Sequence, residues 1–172
     1  MKPTDFEGLL RRLLEARVEF ILVGGVAATV HGSARATFDI DIVYARSDEN
    51  VQRLVAALAP AEPYLRGAPP GLPFAFDALT VERGLNFTLE TTLGDLDLLG
   101  EITGGGRYQD LVPFTVEISI FGFDCHCVTL AKLIELKRAA GRPKDNEVLA
   151  ELEALLADSY DGMDRDGRGE PD

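Results

Sequence analysis

Hydrophobic positions first recur at helical spacing. Phe6, Leu9, Leu10, Leu13 and Leu14 form one stripe between Asp5 and Arg17, and Thr4 before them is a residue type that caps helix starts. From Val18 the period changes. Val18 to Val23 (VEFILV) reads as a strand, Gly24-Gly25 as a turn and Val26 to Val30 as a short helical run. Phe38 to Tyr44 (FDIDIVY) alternates in character, which predicts a strand with Ile40 and Ile42 turned to a core and Asp39 and Asp41 together on the other face. Ser47 then caps a predicted helix from Asp48 to Leu58, with Val51, Leu54, Val55 and Leu58 as its apolar stripe.

Pro60 to Pro73 holds five prolines and two glycines, so it is expected to be an irregular loop long enough to cover a site. Strand patterns resume from Phe74. Leu85 to Thr91 and Leu96 to Leu99, broken at Gly94, predict a hairpin in which Asp95 and Asp97 share a face. Val116 to Ile120 and Phe123 to Val128 predict another, across Phe121-Gly122. Thr129 to Ala140 reads as a helix closed by Gly141, and Pro143 opens a last helix running to about Ala157. These elements predict one domain over residues 1–157 and an acidic, disordered tail over 158–172.

Composition narrows the class. A chain of 172 residues with 46% hydrophobic and 27% charged residues suits a single globular core, and no apolar run is long enough to span a bilayer. The N-terminus, MKPTDFEGLL, carries acidic residues where a signal peptide has none, so no membrane partner and a cytoplasmic location are expected. Cys125 and Cys127 flank His126 in a predicted strand. That places the two sulfurs on one face and the imidazole on the other, which predicts buried free thiols rather than a zinc site. The net charge of −12 opposes non-specific attraction to nucleic acid. Between Lys132 and Asp145, however, Lys132, Lys137, Arg138, Arg142 and Lys144 outnumber Glu135 and Asp145, leaving one segment for a polyanion.

The candidate chemistry lies in VGGVAATVHGSARATFDIDIV, Val23 to Val43. Asp39 and Asp41 stand roughly 6 to 7 Å apart at Cα along one strand face. A divalent cation relieves the repulsion of such a pair, and hard oxygen ligands suit Mg²⁺. Gly24 and Gly25, lacking Cβ atoms, admit a ligand close to backbone N–H groups.

The order GG, then His31-Gly32, then R-x-T-x-D-I-D-I from Arg35 resembles the first motif of the DNA polymerase β-like nucleotidyltransferase superfamily, especially its small bacterial members of the toxin and antibiotic-modifying types. Many members carry Gly-Ser where this chain has Gly24-Gly25. The segment Lys137 to Asp145 (KRAAGRPKD) resembles the K-x-x-x-R-x-K-D motif of toxin-type members, with one extra residue between Lys137 and Arg142. The resemblance implies an α/β fold of the α+β kind, a mixed β-sheet with helices packed mainly on one face. It implies Asp39 and Asp41 as ligands of Mg²⁺ (or Mn²⁺), with a third aspartate on a neighbouring strand as ligand and general base. For that third position Asp97, in L-D-L-L, fits the pattern better than Asp95. Gly24, Gly25, Arg35, Thr37, Lys137, Arg142 and Lys144 are the implied nucleotide-binding residues, with Arg35 orienting the Asp39 strand and His31 a packing or turn residue. The implied activity is transfer of an NMP group from an NTP, ATP among them, to an acceptor hydroxyl. Three versions stay open: a macromolecular acceptor, tRNA or protein, with a cognate antitoxin as partner; a small antibiotic, aminoglycoside or lincosamide; and a nucleotide-binding module without catalysis.

Overall fold

The computed structural model describes residues 2–166. Strand β2 (Asp39–Tyr44) is the middle of a seven-stranded mixed sheet of order β3-β4-β5-β2-β1-β7-β6. The other strands are β1 (Phe20–Val23), β3 (Tyr64–Leu65), β4 (Asn86–Thr91), β5 (Gly94–Leu99), β6 (Thr115–Ile120) and β7 (Phe123–Val128). β2 pairs antiparallel with β1 and parallel with β5, while β4–β5 and β6–β7 are the two predicted hairpins.

Register decides which side chains meet. Asp39 lies opposite Asp95 and Asp41 opposite Asp97, so four carboxylates share one face. Ile40, Ile42, Leu96 and Leu98 occupy the other face and are fully buried. Each such side chain contributes about 1.5 to 3 kcal/mol by leaving water, and a slip of one residue would exchange the two faces. The apolar pattern therefore fixes where the acids stand.

Seven α-helices accompany the sheet among the described residues: α1 (Phe6–Glu15), α2 (Gly24–Val30), α3 (Asp48–Leu58), α4 (Ala78–Arg83), α5 (Tyr108–Leu111), α6 (Leu130–Ala140) and α7 (Asn146–Asp166). α1 packs on α3, and Leu9, Leu10, Leu13, Leu54 and Leu58 are fully buried. Ser47 caps α3 through its side-chain oxygen and Gly141 ends α6 at φ +63°, both as the sequence predicts, while Thr129, read as the first residue of α6, is its N-cap. None of the helices is long and apolar enough to cross a membrane.

Several local expectations change. Asp5, not Thr4, caps α1, accepting from the Gly8 amide at 2.9 Å. Thr4 instead donates to the Phe38 carbonyl and accepts from the Asp95 amide, tying the N-terminus to the entries of β2 and β5. Gly24-Gly25 is not a separate turn but the first part of α2. The proline-rich loop is partly regular: Ala59–Ala61 forms a 3-10 turn and Tyr64–Leu65 adds an edge strand to β4. Residues 78–83, placed within a strand region, form the short helix α4 capped by Asp77. A 3-10 turn, Pro143–Asp145, precedes α7, which continues past Ala157 to Asp166 into the segment read as a disordered tail. Its apolar spacing persists through Tyr160 and Met163, and extending a formed helix fixes one residue per added hydrogen bond. Residues 167–172 of the predicted tail lie outside the described residues.

Candidate active site

β2 and β5 run in the same direction, so their aspartates leave the sheet side by side. Asp39, Asp41 and Asp97 each offer a carboxylate oxygen within 4.8 Å of the others. Burial resists ionisation of Asp41, the neighbouring charges of Asp39 and Asp97 add to it, and its carboxyl is pushed up to about 8. Lys137 acts in the opposite direction on the same group. Burial, followed by the charge of Asp97, also raises Asp39, with Arg66 opposing.

The three acids line a cavity of about 770 Å³. Gly24, Gly25, Arg35 and Thr37 border it on the approach to β2, and Lys137, Arg142 and Lys144 border it from the joint between α6 and α7. Gly24 has φ +65°, and a Cβ there would overlap the Asp41 carboxylate. A Cβ at Gly25 would overlap the Thr37 hydroxyl, so the glycine pair lets α2 start directly against the acidic strand.

The residues named for metal and nucleotide binding, Asp39, Asp41, Asp97, Gly24, Gly25, Arg35, Thr37, Lys137, Arg142 and Lys144, all border this cavity, though not all in the manner expected. Arg35 does not hold the Asp39 strand. Its guanidinium reaches across to Glu147 at 3.0 Å on the first turn of α7. Thr37 does act on that strand, donating to the Asp39 carbonyl at 3.2 Å. His31 is a packing residue whose Nε2 meets the Val128 carbonyl at 2.7 Å. Lys137 and Arg142 stand 3.6 and 3.5 Å from the buried Asp145, which keeps the basic wall in place. Asp95 does not border the cavity, whereas Asp97 does. Cys125 and Cys127 are buried free thiols, and burial pushes both up to about 12, outside the range of reactive thiolates.

Arg66 was not visible as a site residue. It follows edge strand β3 and reaches inward, with Nη2 2.9 Å from Asp97 Oδ1, Nε 3.3 Å from Asp95 Oδ2 and Nη1 3.9 Å from Asp39 Oδ2. In sequence it is a lone arginine in a proline-rich segment, and nothing local marks it.

No protein-family model matches the chain, and no curated protein sequence does. Its backbone nonetheless superposes on the crystal structure of a candidate nucleotidyltransferase (TM1012) from Thermotoga maritima. The TM-score is 0.52, with 83% of this chain and 89% of that one covered at 15% identity. The chain has the nucleotidyltransferase fold. A second match, the solution structure of the antibiotic-resistance factor ANT(2'')-Ia, covers 92% of both chains at 16% identity with a TM-score of 0.48. In this fold three converging carboxylates and the basic residues of the α6–α7 joint line one cavity.

Proposed function

We propose that this protein is a metal-dependent nucleotidyltransferase that moves an NMP group from an NTP to an acceptor hydroxyl on a macromolecule, tRNA or protein. The observation that carries the reading is the convergence of Asp39, Asp41 and Asp97 in a cavity that Lys137, Arg142 and Lys144 also line. The donor set fits Mg²⁺ or Mn²⁺: three hard carboxylate oxygens lie close together, and burial and the neighbouring carboxylates hold the proton on Asp41. Bound divalent metal would supply charge neutralisation at the transferring phosphoryl group and a lowered pKa for the acceptor oxygen.

The chain's own residues have separable tasks. Asp39 and Asp41 would hold the cation from β2. Asp97 would ligate from β5 and accept the proton of the attacking hydroxyl. Lys137 and Lys144 would neutralise phosphate oxygens as point charges, while Arg142 could hold two at once. Gly24 and Gly25 keep the floor beside Asp41 open for the phosphates.

A second reading, transfer to a cationic aminoglycoside, draws support from the net charge of −12 and from Glu101 on the cavity border, both unfavourable to a large RNA. Calorimetry with each NTP, with Mg²⁺ and then with excess EDTA, tests the common core of both readings. Metal-dependent binding is expected. Equal affinity without metal argues against the acidic site, and no binding under either condition removes the nucleotidyltransferase reading. Labelled NTP incubated with cell extract, or with aminoglycosides, then reports which class of acceptor carries the label.

A further inference from the structure

Arg66 is the one cation that spans the carboxylates of both acidic strands among the described residues. Its fork covers Asp97, Asp95 and Asp39, two of which belong to the trio able to hold a metal. The arm is held at both ends: the backbone amide donates to the Thr88 carbonyl at 3.0 Å, and Nη2 at the tip donates to the Leu89 carbonyl at 2.7 Å. Nε is buried yet makes no aligned hydrogen bond, although Asp95 is 3.3 Å away. The arginine leaves a strand of only two residues at the sheet edge, and Gly67 follows at φ +78° with open space around it. Lys137, the cation that acts on Asp41, is already engaged with Asp145.

From this arrangement, and resting on the proposed metal site, we infer that Arg66 is a resident counter-cation. It occupies Asp97 and screens Asp39 in the metal-free protein, and a divalent cation must displace it to collect all three carboxylates. A guanidinium and a metal ion cannot both take Asp97 Oδ1 at contact distance without strong repulsion. Arg66 is thus a positioning residue: it holds the third carboxylate toward the cavity while the site is empty and sets how tightly metal is taken up.

The test is calorimetric titration of Mn²⁺ into wild type, Arg66→Gln, Arg66→Lys and Asp41→Asn, with a thermal melt of each in EDTA. Arg66→Gln removes the competing charge, so Mn²⁺ should bind about tenfold more tightly while the metal-free melting temperature falls. Arg66→Lys keeps the charge without the fork, so its Mn²⁺ affinity should stay near that of wild type. Unchanged or weaker Mn²⁺ binding by Arg66→Gln would overturn the inference, and so would an equal effect of Arg66→Lys. If Arg66→Gln does not fold, the Arg66 Nε–H resonance of the wild type decides. It should shift on adding Mg²⁺ and not shift in Asp41→Asn; no shift in wild type overturns the proposal. Failure of the wild type to bind Mn²⁺ removes the metal-site reading and the inference together. Binding that Asp41→Asn abolishes and Arg66→Gln leaves alone removes only the inference.

Discussion

Replacing Asp41 by Asn should stabilise the metal-free protein while ending the proposed nucleotidyl transfer. Asp41 ionises near 4 in an unfolded chain, and in the fold burial and two neighbouring carboxylates push it up to about 8. A carboxyl raised in this way contributes stability that is fully present below its unfolded pKa. That contribution is lost as pH rises toward the folded value and changes little beyond it. The affected window therefore runs from about pH 4 to about pH 8. At 1.36 kcal/mol per unit, its full width bounds the loss at about 6 kcal/mol, and coupling to a neighbouring group leaves the realised loss smaller, on the order of 2 kcal/mol. Protonated Asp41 donates to Asp97, and an Asn amide can donate to the same oxygen, so the substitution removes the ionisation penalty while keeping a donor.

For a domain of this size about 2 kcal/mol corresponds to roughly 4 to 8 °C in Tm. Melts in EDTA between pH 4.5 and 8.5 should show the wild type weakening as pH rises and Asp41→Asn nearly flat, with the gap largest at the alkaline end. Mg²⁺ should raise the wild-type Tm at pH 8 and leave the mutant unchanged. A mutant less stable than wild type at pH 8, together with no Mg²⁺ effect on wild type, would refute the reasoning and make these carboxylates structural.

Lys137→Ala should weaken NTP binding by about 1.5 to 3 kcal/mol, the usual worth of a hydrogen bond to a charged group, and should also lower Tm because the buried Asp145 loses one of the two cations beside it. The double variant Lys137→Ala/Asp145→Asn should recover Tm but not affinity; wild-type affinity in either variant would leave Lys137 a helix-end cation. Gly24→Ala should abolish Mg²⁺ binding in calorimetry and lower stability by at least about 1 to 2 kcal/mol, from its left-handed backbone and the overlap with Asp41. Wild-type Mg²⁺ affinity in that variant would show that Asp41 can leave its present position without consequence.

The sequence carried most of the acidic face, because strand alternation is a local property. FDIDIV forces Asp39 and Asp41 to one side as soon as Ile40 and Ile42 are buried, and GDLDLL does the same for Asp95 and Asp97. What alternation cannot supply is adjacency. The choice of Asp97 over Asp95 depends on the parallel pairing of β2 with β5 and on the cavity lying beyond Asp41, both of which are tertiary. Arg66 was missed for a related reason. Its position depends on a two-residue strand whose pairing with β4 no window of the proline-rich segment encodes. Arg35 was visible as a candidate, but its ion pair was not, since Glu147 is over a hundred positions away. Helix α4 is a single capped element of six residues, too short for a period to declare itself.

Helix α7 touches the approach to β2 through one stripe. Glu147 meets Arg35, Glu151 accepts from the Ser33 hydroxyl, and Leu155 packs over Gly32. These positions are four residues apart, one helical face laid along a segment that has no regular structure of its own between α2 and β2. The order of that segment is therefore borrowed from sequence more than a hundred residues downstream. In the language of cooperative unfolding units, residues 31–38 and α7 belong to one foldon, so amides in the approach should exchange with solvent in step with those of the helix. The acidic strand is thus held at its base by the sheet and at its entry by the far end of the chain.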